Sequence, residues 1–314
     1  MESLSEGLDK ALKIGLFDSG VGGLSVFNAL TRLPFPRRPE FIYVGDTARC
    51  PYGDRKPEEI QQFVAEIVSY LTSHDVDAVV MACNTSAACA RQVADTTALA
   101  PVFDLIQPTA EYLANAGVKV GVMATASTVR SGAFARAIQK QNPGVEVVQV
   151  ACPELVPIVE GGRIDHPSTK DVLRRYASAL TRERVGAIVL GCTHYPFIAE
   201  TLQELLPKEI RLVDPAKVLA QSLVRRKLLT LSPEAQAKVK PFASLGRWSE
   251  DVGSCSMVVT GPPEVFAQTV QRCLGYIPGT ISGITVEELT AKAESMPQVN
   301  PTSLPSQTIQ GPVL

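Results

Sequence analysis

Cys83 and Cys192 stand in matching frames. Residues 74–86 read His-Asp-Val-Asp-Ala-Val-Val-Met-Ala-Cys-Asn-Thr-Ser, and residues 183–195 read Glu-Arg-Val-Gly-Ala-Ile-Val-Leu-Gly-Cys-Thr-His-Tyr. Val76 falls on Val185, Ala78 on Ala187, Val80 on Val189 and Cys83 on Cys192. Each segment is an apolar run, a small residue, a cysteine and two polar residues. A chain that holds one thiol at the tip of a buried strand in each half can present two thiols to one ligand from opposite sides. That suits a reaction needing a base on one face of a carbon and an acid on the other. Both cysteines precede a predicted helix, whose N-terminus is expected to lower a thiol pKa toward the useful range.

Other polar residues gather at predicted strand ends. Asp18-Ser19-Gly20-Val21-Gly22-Gly23 follows the first strand. Its glycines permit close approach to a ligand, and the next helix aims N–H groups there, a place for a carboxylate or phosphate. The run is not a full G-x-G-x-x-G, so a dinucleotide site is not supported. Asp18 alternatively reads as a plain helix N-cap. Asp46-Thr47-Ala48-Arg49-Cys50-Pro51-Tyr52-Gly53-Asp54 follows the second strand and on its own reads as a surface turn. Asn84 and Thr85 follow the first cysteine; Thr193 and His194 follow the second. His194 is one of three histidines, and its place two residues from a cysteine suggests proton handling. A Gly-x-Cys-x-Gly nucleophile elbow is absent at both cysteines.

Apolar, β-branched runs at 13–18, 40–45, 77–83, 118–123, 145–150, 186–191, 210–213 and 256–260 read as strands. They alternate with helical patterns near 23–32, 57–73, 86–99, 108–116, 128–141, 167–183, 197–206, 215–230 and 263–274. That alternation predicts an α/β fold with mainly parallel sheets covered on both faces by helices. Lys13-Ile14-Gly15-Leu16-Phe17-Asp18-Ser19 aligns with Lys119-Val120-Gly121-Val122-Met123-Ala124-Thr125, which extends the repeat and sets Thr125 in frame with Ser19. Two similar domains related by a pseudo-two-fold axis follow, with the active site in the cleft between them. The predicted division is residues 1–107 plus 214–276, then 108–213. Residues 277–314 hold five prolines and few apolar residues, and are expected to be mostly disordered, with a short helix around 284–293.

Length and composition narrow the class. At 314 residues and 45% apolar, the chain can build two domain-sized cores. A net charge of -2 gives no electrostatic footprint for nucleic acid. The start lacks a signal-peptide pattern, and no apolar run approaches a membrane span, so a cytoplasmic protein is expected. Seven cysteines, with no C-x-x-C pair, argue against a disulfide framework or a zinc site.

Taken together, Ile14–Leu24, Asp46-Thr-Ala-Arg49 with Pro51-Tyr-Gly53, Ala82-Cys-Asn-Thr85 and Gly191-Cys-Thr-His-Tyr-Pro196 resemble the signature segments of the glutamate racemase family, in order, over roughly residues 13–275. The resemblance implies racemisation of glutamate without a cofactor, supplying D-glutamate for peptidoglycan, in a cytoplasmic homodimer. It implies Cys83 acting on D-glutamate and Cys192 on L-glutamate, with Asp18 and His194 as helpers to the thiols. Asp18, Ser19, Tyr52, Gly53, Asn84, Thr85, Thr125, Thr193 and His194 would bind substrate. An acidic helper in the second half maps to Glu160, with Glu154 a competitor. Cys50 adds a third thiol near the pocket loop and reads as an apolar filler.

Alternatives stay open on the residues alone: an aspartate or hydantoin racemase, an amide hydrolase with a thiol nucleophile, or a binding protein for anionic amino acids. The matched second cysteine is unexplained by a single nucleophile, and Thr193-His194 favours glutamate. The α-proton of an amino acid is far less acidic than a thiol of pKa about 8.5. The site must therefore stabilise a carbanion with preorganised donors in a dry cavity.

Overall fold

The computed structural model describes residues 11–33, 35, 37–225 and 254–295. Its strands are β1 (Lys13–Asp18), β2 (Glu40–Gly45), β3 (Ala78–Met81), β4 (Val102–Phe103), β5 (Val120–Ala124), β6 (Val147–Ala151), β7 (Ala187–Gly191), β8 (Arg211–Val213), β9 (Cys255–Val259) and β10 (Thr280–Gly283). The helices of the first part are α1 (Leu24–Thr31), α2 (Pro57–Thr72), α3 (Asn84–Thr97), α4 (Ile106–Leu113), α5 (Ala126–Ser131) and α6 (Ala133–Gln141). They continue as α7 (Leu155–Glu160), α8 (Pro167–Arg182), α9 (Ala199–Leu205), α10 (Pro215–Arg225), α11 (Pro263–Leu274) and α12 (Val286–Ser295).

Two sheets result, in the orders β10-β9-β2-β1-β3-β4 and β6-β5-β7-β8. All recorded strand pairs are parallel. The run β2-β1-β3-β4 and the run β6-β5-β7-β8 have the same plan. The register repeats as well: Ile14 faces Ala78 and Phe41, while their counterparts Val120 face Ala187 and Val147. The matching frames of the sequence are thus matching positions in two sheets. β5 and β7 are buried at every residue, as the central strands of a covered parallel sheet must be.

The sequence places the elements for physical reasons. Pro57 and Pro167 open α2 and α8, where a missing N–H costs nothing. Glu59 accepts the Lys56 N–H at 3.0 Å and ties off the start of α2. All eight residues of α1 are buried, and Phe27 meets Phe41 edge-on at 5.1 Å. Each such side chain contributes about 1.5–3 kcal/mol.

Three expectations are corrected. The helix expected over 128–141 is two helices, because Gly132 takes a left-handed conformation at φ 63° and ends α5. The chain also forms α7 and the two-residue β4, neither read from the sequence. Residues 277–295 are not a disordered tail: β10 pairs with β9, and the short helix expected around 284–293 is present as α12, packed on α2 through Leu289, fully buried. Thr285 and Glu288 close a reciprocal capping box at its start, with bonds of 2.8 and 3.1 Å. Asp18 is no helix N-cap, since Gly23 holds that position for α1. Residues 296–314 and the last part of the helix expected over 215–230 lie outside the described residues. Among the described residues no helix is long and apolar enough to cross a membrane.

Candidate active site

Strands β1 and β3 of one sheet and β5 and β7 of the other end at one narrow cleft. Its walls include Ser19, Tyr52, Gly53, Cys83, Asn84 and Thr85 from the first sheet, and Thr125, Val156, Cys192, Thr193 and His194 from the second. Nearly all the residues singled out in the sequence are therefore brought together, and both thiols line the same space. Ligands of open parallel sheets bind at such carboxyl ends.

Cys83 is itself the N-cap of α3, and its sulfur accepts the Ser86 N–H at 3.5 Å. The anticipated fall in its pKa does not follow. Burial, with the Asp18 carboxylate adding to it, outweighs the helix terminus and pushes the thiol up to about 12. Asp18 is also fully buried. Its Oδ1 accepts the Gly20 N–H and its Oδ2 the Thr193 hydroxyl, each at 2.9 Å. Burial raises its pKa, and the charge of His194 draws it partly back.

The second thiol has a different neighbour. Cys192 Sγ lies 3.6 Å from His194 Nδ1, and His194 Nε2 lies 2.6 Å from Glu160 Oε1. Burial opposes a charge on the imidazole, but the hydrogen bonds to Cys192 and Glu160 prevail and hold its pKa well above the usual histidine range. As an imidazolium it donates from both nitrogens. Burial pushes Glu160 up, yet its pairing with His194 and the Val21 N–H at 3.0 Å leave it below the usual carboxylate range. Glu154 is elsewhere: it is paired with Arg175 at 2.7 Å and with the Tyr176 hydroxyl at 2.8 Å. Of the two candidates, only Glu160 reaches His194.

The glycines after β1 admit the opposite half rather than a phosphate. A Cβ on Gly22 would stand 2.5 Å from both His194 Nδ1 and Thr193 Oγ1. A Cβ on Gly20 would collide with Glu160. Thr85, Thr125 and Thr128 close a hydroxyl triangle across the cleft at 2.9, 3.2 and 3.0 Å. Tyr52 lines the cleft, but its hydroxyl donates to Asp46, so what it and Gly53 can offer is backbone. Tyr52–Asp54 form a short 3-10 turn, and the leading N–H groups of a helical turn have no partner within it. Asn84 is the converse case. It is 2% exposed, and neither its Oδ1 nor its Nδ2 has a partner. A buried unpaired amide costs about 1–3 kcal/mol, which a polar ligand in the cleft would relieve. Cys50 sits behind the cleft, 3.9 Å from Glu160 Oε1 and 4.0 Å from Ser19 Oγ, and burial pushes its pKa up.

Sequence reasoning missed α7, which brings in both Val156 and Glu160. The resemblance points to Glu160 but not to Val156, whose run carries a proline inside a single short helix.

The family model for Asp/Glu/Hydantoin racemase matches residues 19–223, which includes both cysteines. The chain belongs to this family. It is 42% identical over 265 residues to a glutamate racemase of Gloeobacter violaceus, covering 84% of this chain and 93% of that relative. A glutamate racemase isoform from Bacillus anthracis superposes with a TM-score of 0.74 at 28% identity, over 88% of this chain and 98% of that one. The glutamate racemase of Francisella tularensis, solved in complex with D-glutamate, gives 0.74 at 30% identity, over 87% and 97%. The racemase fold of two helix-covered parallel sheets is shared with these structures, and the chain is a racemase of that family.

Proposed function

We propose that this chain interconverts L- and D-glutamate without a cofactor by a two-base mechanism, and so supplies D-glutamate for peptidoglycan. The carrying observation is that equivalent positions of an internal repeat deliver two thiols, Cys83 and Cys192, to one buried cleft. The two sheets are then two domains, residues 1–107 with 214–276 and residues 108–213, the first extended by β10 and α12. A cytoplasmic setting suits a mechanism that needs reduced thiols.

In the L-to-D direction the Cys192 thiolate, held beside the His194 imidazolium, takes the α-proton. The electron pair is left on the α-carbon as a planar carbanion. The Cys83 thiol gives its proton to the opposite face, which leaves Cys83 a thiolate and Cys192 a thiol. The reverse direction exchanges these roles. Glu160 keeps His194 charged and oriented, and Asp18 orients Thr193. The Asn84 amide, the hydroxyls of Ser19, Thr85, Thr125 and Thr193, and the backbone of Tyr52 and Gly53 meet the carboxylates and ammonium group. Such donors stabilise developing charge far better in a dry site than in water. The substrate's ammonium, brought beside Cys83, offsets the burial that keeps this thiol protonated.

Circular dichroism of L-glutamate with the reduced protein tests this reading, with L-aspartate run alongside. Loss of optical activity for glutamate alone supports it. Racemisation of aspartate instead, or a covalent acyl adduct on either cysteine, would replace it.

A further inference from the structure

The loop between β2 and α2 contains a buried charge network that touches no reacting group. Asp46 is fully buried. Its Oδ1 accepts the Thr260 hydroxyl at 2.8 Å, and its Oδ2 accepts Arg49 Nε at 2.7 Å and the Tyr52 hydroxyl. Arg49 reaches on to Glu66 Oε2 at 2.5 Å, and its guanidinium lies 4.1 Å over the Phe63 ring. Phe63 in turn packs on Tyr52 at 5.4 Å. Thr260, the residue after β9, also accepts the Ala48 N–H at 3.0 Å. The network therefore ties the first part of the loop, up to Tyr52, to α2 and to the residue after β9, and Tyr52 and Gly53 line the cleft.

Burying one guanidinium and two carboxylates is no bargain in stability, because well-packed apolar residues commonly do as well or better. One Arg49 nitrogen is left buried without a partner, a further cost. What the network does supply is geometry, since a planar guanidinium fixes two carboxylates in direction as well as distance. We propose that Arg49, braced by Asp46, Glu66 and Thr260, is a positioning residue that sets Tyr52 and Gly53 against the substrate and thereby its affinity. This rests on the glutamate reading above, in which those two residues bind substrate.

The test is steady-state racemisation of both enantiomers by wild type, Arg49→Met, Arg49→Lys and Thr260→Val. Losing a charge-assisted hydrogen bond is worth about 1.5–3 kcal/mol. Arg49→Met therefore raises KM about 10–100-fold for both enantiomers, with kcat reduced less than about threefold. Arg49→Lys keeps the charge without the fork and falls between this and wild type. Thr260→Val is nearly isosteric, so it decides the matter if Arg49→Met does not fold; it raises KM several-fold. A merely structural role would lower kcat with the folded fraction and leave KM at the wild-type value, and that result would overturn the inference. A wild-type protein that leaves glutamate unchanged removes the glutamate reading and this inference with it. Wild-type racemisation with normal KM in folded variants removes the inference alone.

Discussion

The two thiols sit in opposite electrostatic settings. Cys83 faces the Asp18 carboxylate, while Cys192 faces an imidazole whose pKa is raised by its hydrogen bonds to Cys192 and to Glu160. In the proposed mechanism the base stands on the Cys192 side and the acid on the Cys83 side. Cys83→Ala and Cys192→Ala should each lower racemisation by at least about 10³-fold, because no neighbour replaces a positioned acid or base. Their melting temperatures should stay close to wild type. The His194–Glu160 pair gives a pH signature. The folded pKa of His194 is raised above its unfolded value of about 6.5, so its stabilisation is full below that value and is lost as pH rises through the folded one. Glu160, lowered in the fold, contributes above its unfolded value of about 4.3 and loses this on acidification. The stability gap between wild type and His194→Gln should therefore be widest near pH 5–6.5, at up to about 3 kcal/mol because Glu160 is only partly buried, and narrow toward alkaline pH. Denaturation at several pH values checks this; a gap that widens with pH would contradict it.

Short elements do most of the positioning, and they were the least legible. All eight strands read from the sequence are found, since parallel strands buried on both faces leave continuous apolar runs. β4 is too short to leave a pattern, and β10 (Thr-Ile-Ser-Gly) has only one large apolar side chain. The short helix expected around 284–293 is found as α12. Leu289→Ala should cost about 2–5 kcal/mol, as for other filled core sites; chemical denaturation measures this, and a change below 1 kcal/mol would mean that α12 is not held on α2. The glycine turn after β1 was visible, but its purpose was not, because His194 and Thr193 arrive from 170 residues further along. Gly22→Ala should cost about 1–3 kcal/mol and reduce kcat at least tenfold by displacing His194. Normal kcat in that variant would show that the contact is not needed.

Across the molecule, two copies of one sheet plan close on a single cleft, and the hydrogen bonds that join them run through side chains on at least one side. Asp18 with Thr193, Val21 with Glu160, and Thr85 with Thr125 each join distant parts of the chain. The repeat made the pairing of the halves readable; the individual contacts depend on how the sheets face each other, which no local pattern encodes. A narrow cleft lined by buried residues also suits a substrate that supplies missing partners, such as those of Asn84. D-Glutamate at 100 times its Kd should stabilise Cys83→Ala by about 2.7 kcal/mol, which thermal unfolding would register. The most direct measurement is of deuterium at the α-carbon when the reduced protein turns L-glutamate over in D₂O, read in each enantiomer at low conversion. The account predicts that newly formed D-glutamate carries solvent deuterium from the outset while the remaining L-glutamate stays unlabelled, because different thiols remove and return the proton. D-Glutamate that keeps the substrate's own proton would contradict it.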